Sequence, residues 1–296
     1  MSSHSDQTDR GYIPITRPLL GEEEIQAAAE VISSGWLAQG ARVAEFERLF
    51  ASYVGVADAV ATTSCTTALN LALLQMGPGP GDEVLVPAFT WIATANAVEL
   101  AGAKPVFVDI DLKTFNIDPE AAEAAVTERT VGMVAVHLFG MAAPMDKLLA
   151  IARRHNLWIV EDAACALGTK VDDIHVGTFG DNGCFSFHPR KSISTGEGGM
   201  IIAAADGDIA LARSRRNHGV AAEAPSSAGG PLPDHPLVGF NYRMTDLQAA
   251  IGIVQMSRLE GILTRRREIA QRYDAAAVRA CSSKRQLLYD RRKQRQ

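Results

Sequence analysis

The sequence CFSFHPRKSISTGEGG, residues 184–199, runs from a short apolar segment into a lysine and then a glycine-rich turn. Similar apolar segments recur along the chain and alternate with stretches of helical periodicity. Strands are predicted at Val84–Val86, Val106–Asp109, Met133–His137, Trp158–Glu161, Cys184–Phe187 and Met200–Ala203. Because these segments are continuously apolar, we expect a sheet that is buried on both faces. The pattern predicts an α/β fold with a mostly parallel central sheet covered by helices.

Helical periodicity and turn residues fill the intervals between these strands. Helices are predicted over Val43–Tyr53, Met145–Arg154 and Leu247–Leu259. GPGPGD at 77–82 should end a helix before a strand, and DPE at 118–120 should begin one. The stretch 221–236 is polar, rich in glycine and proline and without periodicity, so we expect a surface loop or lid there.

The composition bounds the class of protein. With 296 residues, of which 47% are hydrophobic and 21% charged, the chain has the balance of a globular protein. No apolar run approaches the roughly 20 residues of a membrane-spanning helix. Residues 1–10 lack the apolar stretch of a signal peptide, so a cytoplasmic protein without a membrane partner is expected. The cysteines Cys65, Cys165, Cys184 and Cys281 lie far apart, which predicts neither a metal site nor a disulfide framework.

Charge is unevenly distributed along the chain. The net charge of -5 argues against nucleic acid as the main ligand. From Arg279 to Gln296, however, seven basic residues accompany a single acidic one, Asp290. A basic arm for RNA or acidic lipid is one interpretation. An ending foreign to the rest of the domain is the other, and we favour it.

Four features could bind a ligand, and three of them directly follow predicted strands, at the edge of the sheet where α/β proteins bind ligands. TTSCTTAL at 62–69 begins a helix with hydroxyl and free N–H groups, which suits either a phosphate cradle or ordinary N-capping. Trp91 offers an aromatic face to a cofactor or lies in the core. Asp162 either needs a cationic or protonated partner or caps a helix. Lys191 is either a partly desolvated nucleophile or a solvated surface charge.

Together these features supply what pyridoxal phosphate requires: a phosphate cradle, an aromatic plate, a carboxylate for the ring nitrogen and an amine. Six motifs carry a more specific signal, namely GWLAQG (35–40), TTAL (66–69), EDAA (161–164), CFSFHPRK (184–191), TGEGG (195–199) and GFNYRM (239–244). By these motifs the sequence resembles the DegT/DnrJ/EryC1/StrS family of sugar aminotransferases. The resemblance runs from about Ile13 to Ala276 and implies an aspartate-aminotransferase-like, type I pyridoxal-phosphate transferase fold.

The resemblance implies roles for the residues around the cofactor ring. Lys191 would be the Schiff-base lysine, Asp162 would bind the pyridine nitrogen, and Trp91 would pack against the ring. Cys165 stands where many family members have Gln or His beside the phenolic oxygen. A thiol is a weaker hydrogen-bond donor than either of those side chains.

The resemblance also implies how the phosphate is held. Cys65, Thr66 and Ser186 would contact it within one subunit. Asn241 would reach the phosphate of the neighbouring subunit, which implies a homodimer with shared active sites.

The implied function is transfer of an amino group, with glutamate as the expected donor, to a nucleotide-linked keto-sugar in amino-sugar, polysaccharide or secondary-metabolite biosynthesis. A pyridoxal-phosphate-dependent sugar dehydratase is the alternative, although those relatives typically carry histidine in place of Lys191. A catalytically impaired fragment with an interaction or regulatory role is a third reading, because family members usually continue into a fuller C-terminal domain. The expected plan is a flexible tail over 1–12, a large cofactor domain over 13–258 and, over 259–296, the start of a largely missing small domain, with a non-family basic tail from about 279.

Overall fold

The computed structural model describes residues 14–203, 209–221 and 233–280. Its strands, in chain order, are β1 Ala59–Thr62, β2 Glu83–Pro87, β3 Lys104–Val108, β4 Thr130–Val136, β5 Trp158–Asp162, β6 Lys170–Val171, β7 Ile174–His175, β8 Asn182–Ser186 and β9 Gly199–Ala203. Its helices are α1 Glu22–Ser34, α2 Ala41–Val54, α3 Cys65–Met76, α4 Ala93–Leu100, α5 Pro119–Ala124, α6 Met145–His155, α7 Ala210–Arg216 and α8 Asp246–Ala280. The chain therefore alternates between strands and helices, as the periodicity predicts.

A seven-stranded sheet in the order β1-β9-β8-β5-β4-β2-β3 forms the centre of the protein. The neighbours β3, β2, β4, β5 and β8 run parallel to one another. Strand β9 is antiparallel to both β8 and β1. Strands β6 and β7 form a separate antiparallel hairpin. The mostly parallel, helix-covered sheet predicted from the sequence is confirmed.

The six predicted strands are all present, with ends shifted by up to three residues, and the structure adds β1, β6 and β7. Residues Asp109, His137 and Phe187 lie just past the strands that were predicted to contain them. All residues of β2, β8 and β9 are buried, whereas the edge strand β3 exposes Lys104 and Phe107. Strand β1 was not predicted because its four residues owe their conformation to pairing with β9, a tertiary interaction.

Helices cover both faces of the sheet and bury its side chains. On one face α2 and α8 pack on β1, β8 and β9, where the ring centroids of Phe46 and Phe187 lie 5.1 Å apart and those of Phe50 and Phe185 5.0 Å apart. Helices α3, α4 and α7 pack on the other face. Aromatic pairs at such distances add about 1 kcal/mol each beyond the area they bury. The core thus holds the strand ends rigidly.

Helix α8 is longer than the predicted segment 247–259 and continues unbroken to residue 280. The division predicted between 13–258 and 259–296 falls inside this helix and remains a prediction. Leu259 and Leu263 are buried against the core, whereas Tyr273 is 74% exposed. None of the described helices is long and apolar enough to cross a membrane. The predicted N-terminal tail, most of the loop 221–236 and the basic segment after residue 280 lie outside the described residues.

The first residue of α8 also fixes the start of α2. The buried Asp246 carboxylate accepts hydrogen bonds from the backbone N–H groups of Gly40 at 2.7 Å, Val43 at 3.0 Å and Arg42 at 3.2 Å. These are donors that an N-terminal helical turn leaves unpaired, and a carboxylate there also interacts favourably with the helix dipole. The motif GWLAQG is thereby anchored to the core at its last glycine.

A charged cluster closes the opposite, amino-terminal edge of the parallel strands. The buried Glu83 accepts hydrogen bonds from Arg129 Nη2 at 2.8 Å, Thr127 Oγ1 at 2.8 Å and Lys104 Nζ at 3.3 Å. These contacts, those from Arg129 foremost, lower the pKa of Glu83 to about 2 against the cost of burial. Glu83 therefore favours the folded state most when it is ionised.

We predict that Glu83→Gln removes a pH-dependent part of the stability. Because the folded pKa lies below the ordinary value, the contribution is full above about pH 4.5 and is lost as the pH falls towards 2. The variant should have a lower urea midpoint than the wild type at pH 7, and the two midpoints should converge only as the pH approaches 2. Glu99→Gln, a change at an exposed residue, is the control and should shift neither midpoint. A constant difference between Glu83→Gln and wild type at all pH values would contradict this role.

Candidate active site

The candidate residues gather where the parallel strands end. Asp162 is the last residue of β5 and Ser186 the last of β8, and these strands are parallel neighbours. Cys65 and Thr66 open α3, which packs on β5, β8 and β9. The edge predicted from the sequence to bind a ligand is therefore the edge at which the structure places these four residues.

Asp162 is a buried carboxylate held by neutral groups. Thr94 Oγ1 donates a hydrogen bond to its Oδ2 at 2.9 Å, and the N–H of Ala164 donates to its Oδ1 at 3.1 Å. No ion pair forms at Asp162 among the residues that the structure describes. A carboxylate has about four acceptor sites, so these two donors leave capacity for about two more. The buried Asp162 carboxylate therefore suits a ligand group that carries its own proton, such as a protonated pyridine nitrogen.

The adjacent Glu161 points the other way and is fully satisfied within the protein. Successive side chains of a strand face opposite sides of the sheet. The Glu161 carboxylate, with no exposure to water, accepts hydrogen bonds from the N–H groups of Gly177 (2.7 Å), Phe179 (2.7 Å) and Gly180 (2.6 Å) and from His137 Nε2 (2.8 Å). Because His137 Nδ1 accepts the N–H of Ala143 at 3.0 Å, the ring proton lies on Nε2. Of the two acids only Asp162 has capacity for a ligand.

Lys191 lies at the same site, in a tight turn after β8. Its backbone N–H donates to the carbonyl of His188 at 2.8 Å, and its Nζ donates to Cys165 Sγ at 3.0 Å. Lys191 is half-buried and Cys165 is exposed. The structure thus brings Lys191 and Cys165 together, the two residues that the resemblance places at the cofactor's aldehyde and phenolic oxygen.

Cys65 lies within electrostatic range of the same groups. Burial, then the charge of Asp162 and the thiol of Cys184, raise the pKa of the Cys65 thiol well above its usual range, and Lys191 opposes them only in part. Cys65 is therefore a neutral thiol that can donate a hydrogen bond at neutral pH.

The turn before α3 is compatible with both predictions for its hydroxyl groups, a phosphate cradle and ordinary N-capping. Ser64 is the N-cap, and its Oγ accepts the N–H of Thr67 at 3.2 Å. Cys65 and Thr66 are left in the first turn, where backbone N–H groups favour anions. Gly199 packs on this turn so closely that a Cβ would lie 2.6 Å from the nitrogen of Cys65. Glycine at 199 is thus required for the turn to rest against β9.

Ser186, Trp91 and Asn241 complete the set. Ser186 is buried, and its Oγ accepts the N–H of His188 at 3.4 Å. Trp91 is 75% exposed, so the alternative that it is a core residue is wrong. Asn241 is exposed and bridges Asn217 through the backbone. Among the described residues no hydrogen bond joins the Asn241 side chain to the other candidates.

Two supporting residues were missed by sequence reasoning. Thr94 has a detectable signal, because a second hydroxyl follows Thr90 one helical turn later and the two Oγ1 atoms lie 3.0 Å apart. His137 has no such signal, because its partner Glu161 belongs to another strand. Thr94 orients Asp162 and His137 orients Glu161, the two acids at the end of β5.

The sequence of this chain is similar to those of known aminotransferases and polysaccharide-biosynthesis proteins. Residues 18–293 match the DegT/DnrJ/EryC1/StrS aminotransferase family, a range that includes most of the basic segment from 279 onwards. Spore coat polysaccharide biosynthesis protein SpsC of Bacillus subtilis is 44% identical over 268 residues, which are 90% of this chain and 69% of that protein. GDP-perosamine synthase of Caulobacter vibrioides is 42% identical over 275 residues, 92% of this chain and 72% of that protein.

Solved structures give the same relationship. The putative sugar aminotransferase Spr1654 from Streptococcus pneumoniae, in its PMP form, superposes with a TM-score of 0.85 at 31% identity, over 90% of this chain and 72% of that one. PseC of Helicobacter pylori, an aminotransferase involved in the biosynthesis of pseudoaminic acid, superposes with a TM-score of 0.82 at 29% identity, over 89% and 70% of the two chains.

We predict that the cysteines around Lys191 differ sharply in reactivity. Iodoacetamide at pH 8 should label the exposed Cys165 first, while Cys65 and Cys184 resist because burial raises the pKa of both thiols and leaves little thiolate. Pyridoxal phosphate should slow the labelling of Cys165. Peptide mapping by mass spectrometry reads each site, with Cys165→Ser as the control. Labelling of Cys65 as fast as Cys165 would contradict the proposed arrangement of charges.

Proposed function

The chain belongs to the DegT/DnrJ/EryC1/StrS aminotransferase family and is a pyridoxal-phosphate-dependent sugar aminotransferase, and we propose that it transfers an amino group from glutamate to the keto group of a nucleotide-linked sugar. The observation that carries the proposal is the meeting of Lys191 and Cys165 at the strand edge that also holds Asp162. An amine and a carboxylate with spare acceptor capacity are the two groups that this chemistry needs from the protein.

Each candidate residue has a role in this proposal. Pyridoxal phosphate, when bound, supplies an electron sink for the carbon that loses its proton. Lys191 would anchor the cofactor through Nζ and would then move the proton, a task for an amine held in place. Asp162 would keep a proton on the ring nitrogen, and Trp91 would cover the ring and exclude water. Cys165 would contact the phenolic oxygen.

The start of α3 and the end of β8 would hold the phosphate. Cys65 and Thr66 offer backbone N–H groups with a neutral thiol and a hydroxyl, and Ser186 adds a second hydroxyl. Asn241, exposed in the single chain, is proposed to contact the phosphate of a second copy, so that a homodimer shares its active sites. A homodimer and a cytoplasmic location are predictions that accompany this function.

The names of the relatives support the substrate class. SpsC is described by its part in spore coat polysaccharide biosynthesis, and the Caulobacter relative is named for GDP-perosamine. We therefore propose a keto-sugar linked to a nucleoside diphosphate as the amino acceptor, in amino-sugar or polysaccharide biosynthesis. A panel of GDP-, UDP- and dTDP-linked keto-sugars with glutamate as donor tests the acceptor, and no product with any member would contradict it.

A sugar dehydratase is the alternative within the same fold. The presence of Lys191 favours amino transfer over dehydration. An amine at this position can bond to the cofactor before the reaction and bond to it again afterwards. Release of water from the sugar without consumption of glutamate would favour the alternative.

We predict that Lys191 is the lysine bonded to the cofactor. Borohydride reduction of the protein with pyridoxal phosphate, followed by peptide mapping, should place the pyridoxyl label on Lys191. Lys191→Ala should lose the label and nearly all transfer, whereas Lys170→Ala, a change at an exposed lysine of β6, should keep both. A label on another lysine with Lys191 unmodified would overturn the role.

We predict that Asp162→Asn slows catalysis more than it weakens cofactor binding. An amide keeps the hydrogen bond to Thr94 but holds a protonated ring nitrogen poorly, so the electron sink weakens. Loss of two to three pKa units of stabilisation on the nitrogen corresponds to about 3–4 kcal/mol, or roughly a hundredfold or more in rate. Stopped-flow measurement of the glutamate half-reaction reads this, with the cofactor dissociation constant as the comparison. An unchanged half-reaction rate would refute the role.

A further inference from the structure

Three phenylalanine rings, two exposed and one half-buried, form a group beside the proposed site. The ring centroids of Phe89 and Phe115 lie 5.7 Å apart, those of Phe115 and Phe139 6.4 Å apart, and those of Phe89 and Phe139 6.5 Å apart. Phe89 is 48% exposed and Phe139 73% exposed. We call these three residues the aromatic cluster. Rings in mutual contact that nevertheless remain open to water form a ready-made apolar surface.

Two short routes connect the aromatic cluster to the reacting groups. Phe89 precedes Thr90, whose hydroxyl contacts Thr94, and Thr94 donates to Asp162. Phe139 precedes Gly140, where a Cβ would lie 3.2 Å from the carbonyl oxygen of Cys165. The aromatic cluster therefore adjoins the site on both the Asp162 side and the Lys191 side.

The backbone around the aromatic cluster is held in an unusual conformation. Phe115 has φ 61° and Phe139 has φ 56°, in the left-handed region that bulky residues rarely adopt. Such strained positions persist only where the surroundings enforce them, and they concentrate at functional sites. Here the buried Asn116 enforces them: its Oδ1 accepts the N–H of Leu138 at 3.0 Å, and its Nδ2 donates to the carbonyls of Met141 and Ala142, each at 3.0 Å.

Thr169 adds a further restraint on the same loop. Its Oγ1 donates to the carbonyl of Gly140 at 2.8 Å, directly after Phe139. The rings are therefore positioned before any ligand arrives, which lowers the entropic cost of binding.

We propose that the aromatic cluster packs against the carbon–hydrogen face of the keto-sugar and sets the orientation in which the acceptor carbon meets the site. The inference rests on the proposed function. Phenyl rings offer no hydrogen-bond donor, so they suit neither a diphosphate nor the carboxylates of glutamate. Of the remaining parts of the substrate, the sugar carries the reacting carbon and must lie next to Lys191. The aromatic cluster adjoins Lys191 through Gly140 and Cys165.

The test separates sugar binding from all other steps. Phe139→Ala removes the most exposed ring of the aromatic cluster, and Phe107→Ala, on the edge strand β3 and 58% exposed, is the matched control outside it. With the best acceptor of the keto-sugar nucleotide panel, Phe139→Ala should raise KM about tenfold, the effect of one lost aromatic contact. The glutamate half-reaction should stay within twofold of wild type, and Phe139→Leu should recover part of the loss. By calorimetry, affinity for the nucleotide sugar should fall while affinity for its free nucleoside diphosphate does not.

Other outcomes overturn the inference. Equal effects of Phe139→Ala and Phe107→Ala would show that the aromatic cluster does not contact the sugar. A smaller particle mass for Phe139→Ala than for wild type, measured by light scattering, would show that a second copy of the chain covers the aromatic cluster in place of the sugar. Equal loss in both half-reactions would place the aromatic cluster in cofactor binding. If wild type completes the glutamate half-reaction but aminates no keto-sugar nucleotide, the proposed function fails and the inference fails with it.

Discussion

A carboxylate shielded from water, that of Glu161, is the constraint on which the site depends. An ionised group in such a position is tolerated only when hydrogen bonds replace its lost hydration. Glu161 obtains them from His137 and from three backbone N–H groups of the turn 177–180. Two strand ends and the turn leading to β8 are thereby locked to one another. Because side chains alternate along a strand, fixing Glu161 on one face also fixes Asp162 on the other.

The same constraint extends to the substrate side of the site. His137 uses its second nitrogen to bind the N–H of Ala143, which secures both ends of the loop that carries Phe139. Asn116 then ties this loop to the segment that carries Phe115. The cofactor acid and the aromatic cluster are therefore parts of one hydrogen-bonded assembly, so that disturbance of Glu161 should reach both. Rigid support of this kind is what positions reacting groups to within a fraction of an ångström.

Local sequence signals predicted six of the nine described strands, the motifs and the approximate place of Lys191 and Asp162, because each depends on a few consecutive residues. The different roles of Glu161 and Asp162 could not be predicted. Both acids end the same strand, and their hydrogen-bond partners come from distant segments. For the same reason the aromatic cluster left no trace in the sequence: its three rings belong to three loops. Sequence periodicity reports the faces of elements, whereas these features arise from the way loops meet at the edge of a sheet.

The position of β1 has a consequence for the order of folding. Its partner in the sheet is β9, with Ala59 opposite Ile202, so a strand made early during synthesis has to wait for one made much later. Until Gly199 arrives, the turn at Ser64 lacks the surface on which it rests. Contacts between such distant positions form slowly, because the intervening chain must be ordered first. The parallel strands β2 to β5 can assemble beforehand, and the turn at Ser64 is then among the last parts of the protein to reach its final conformation.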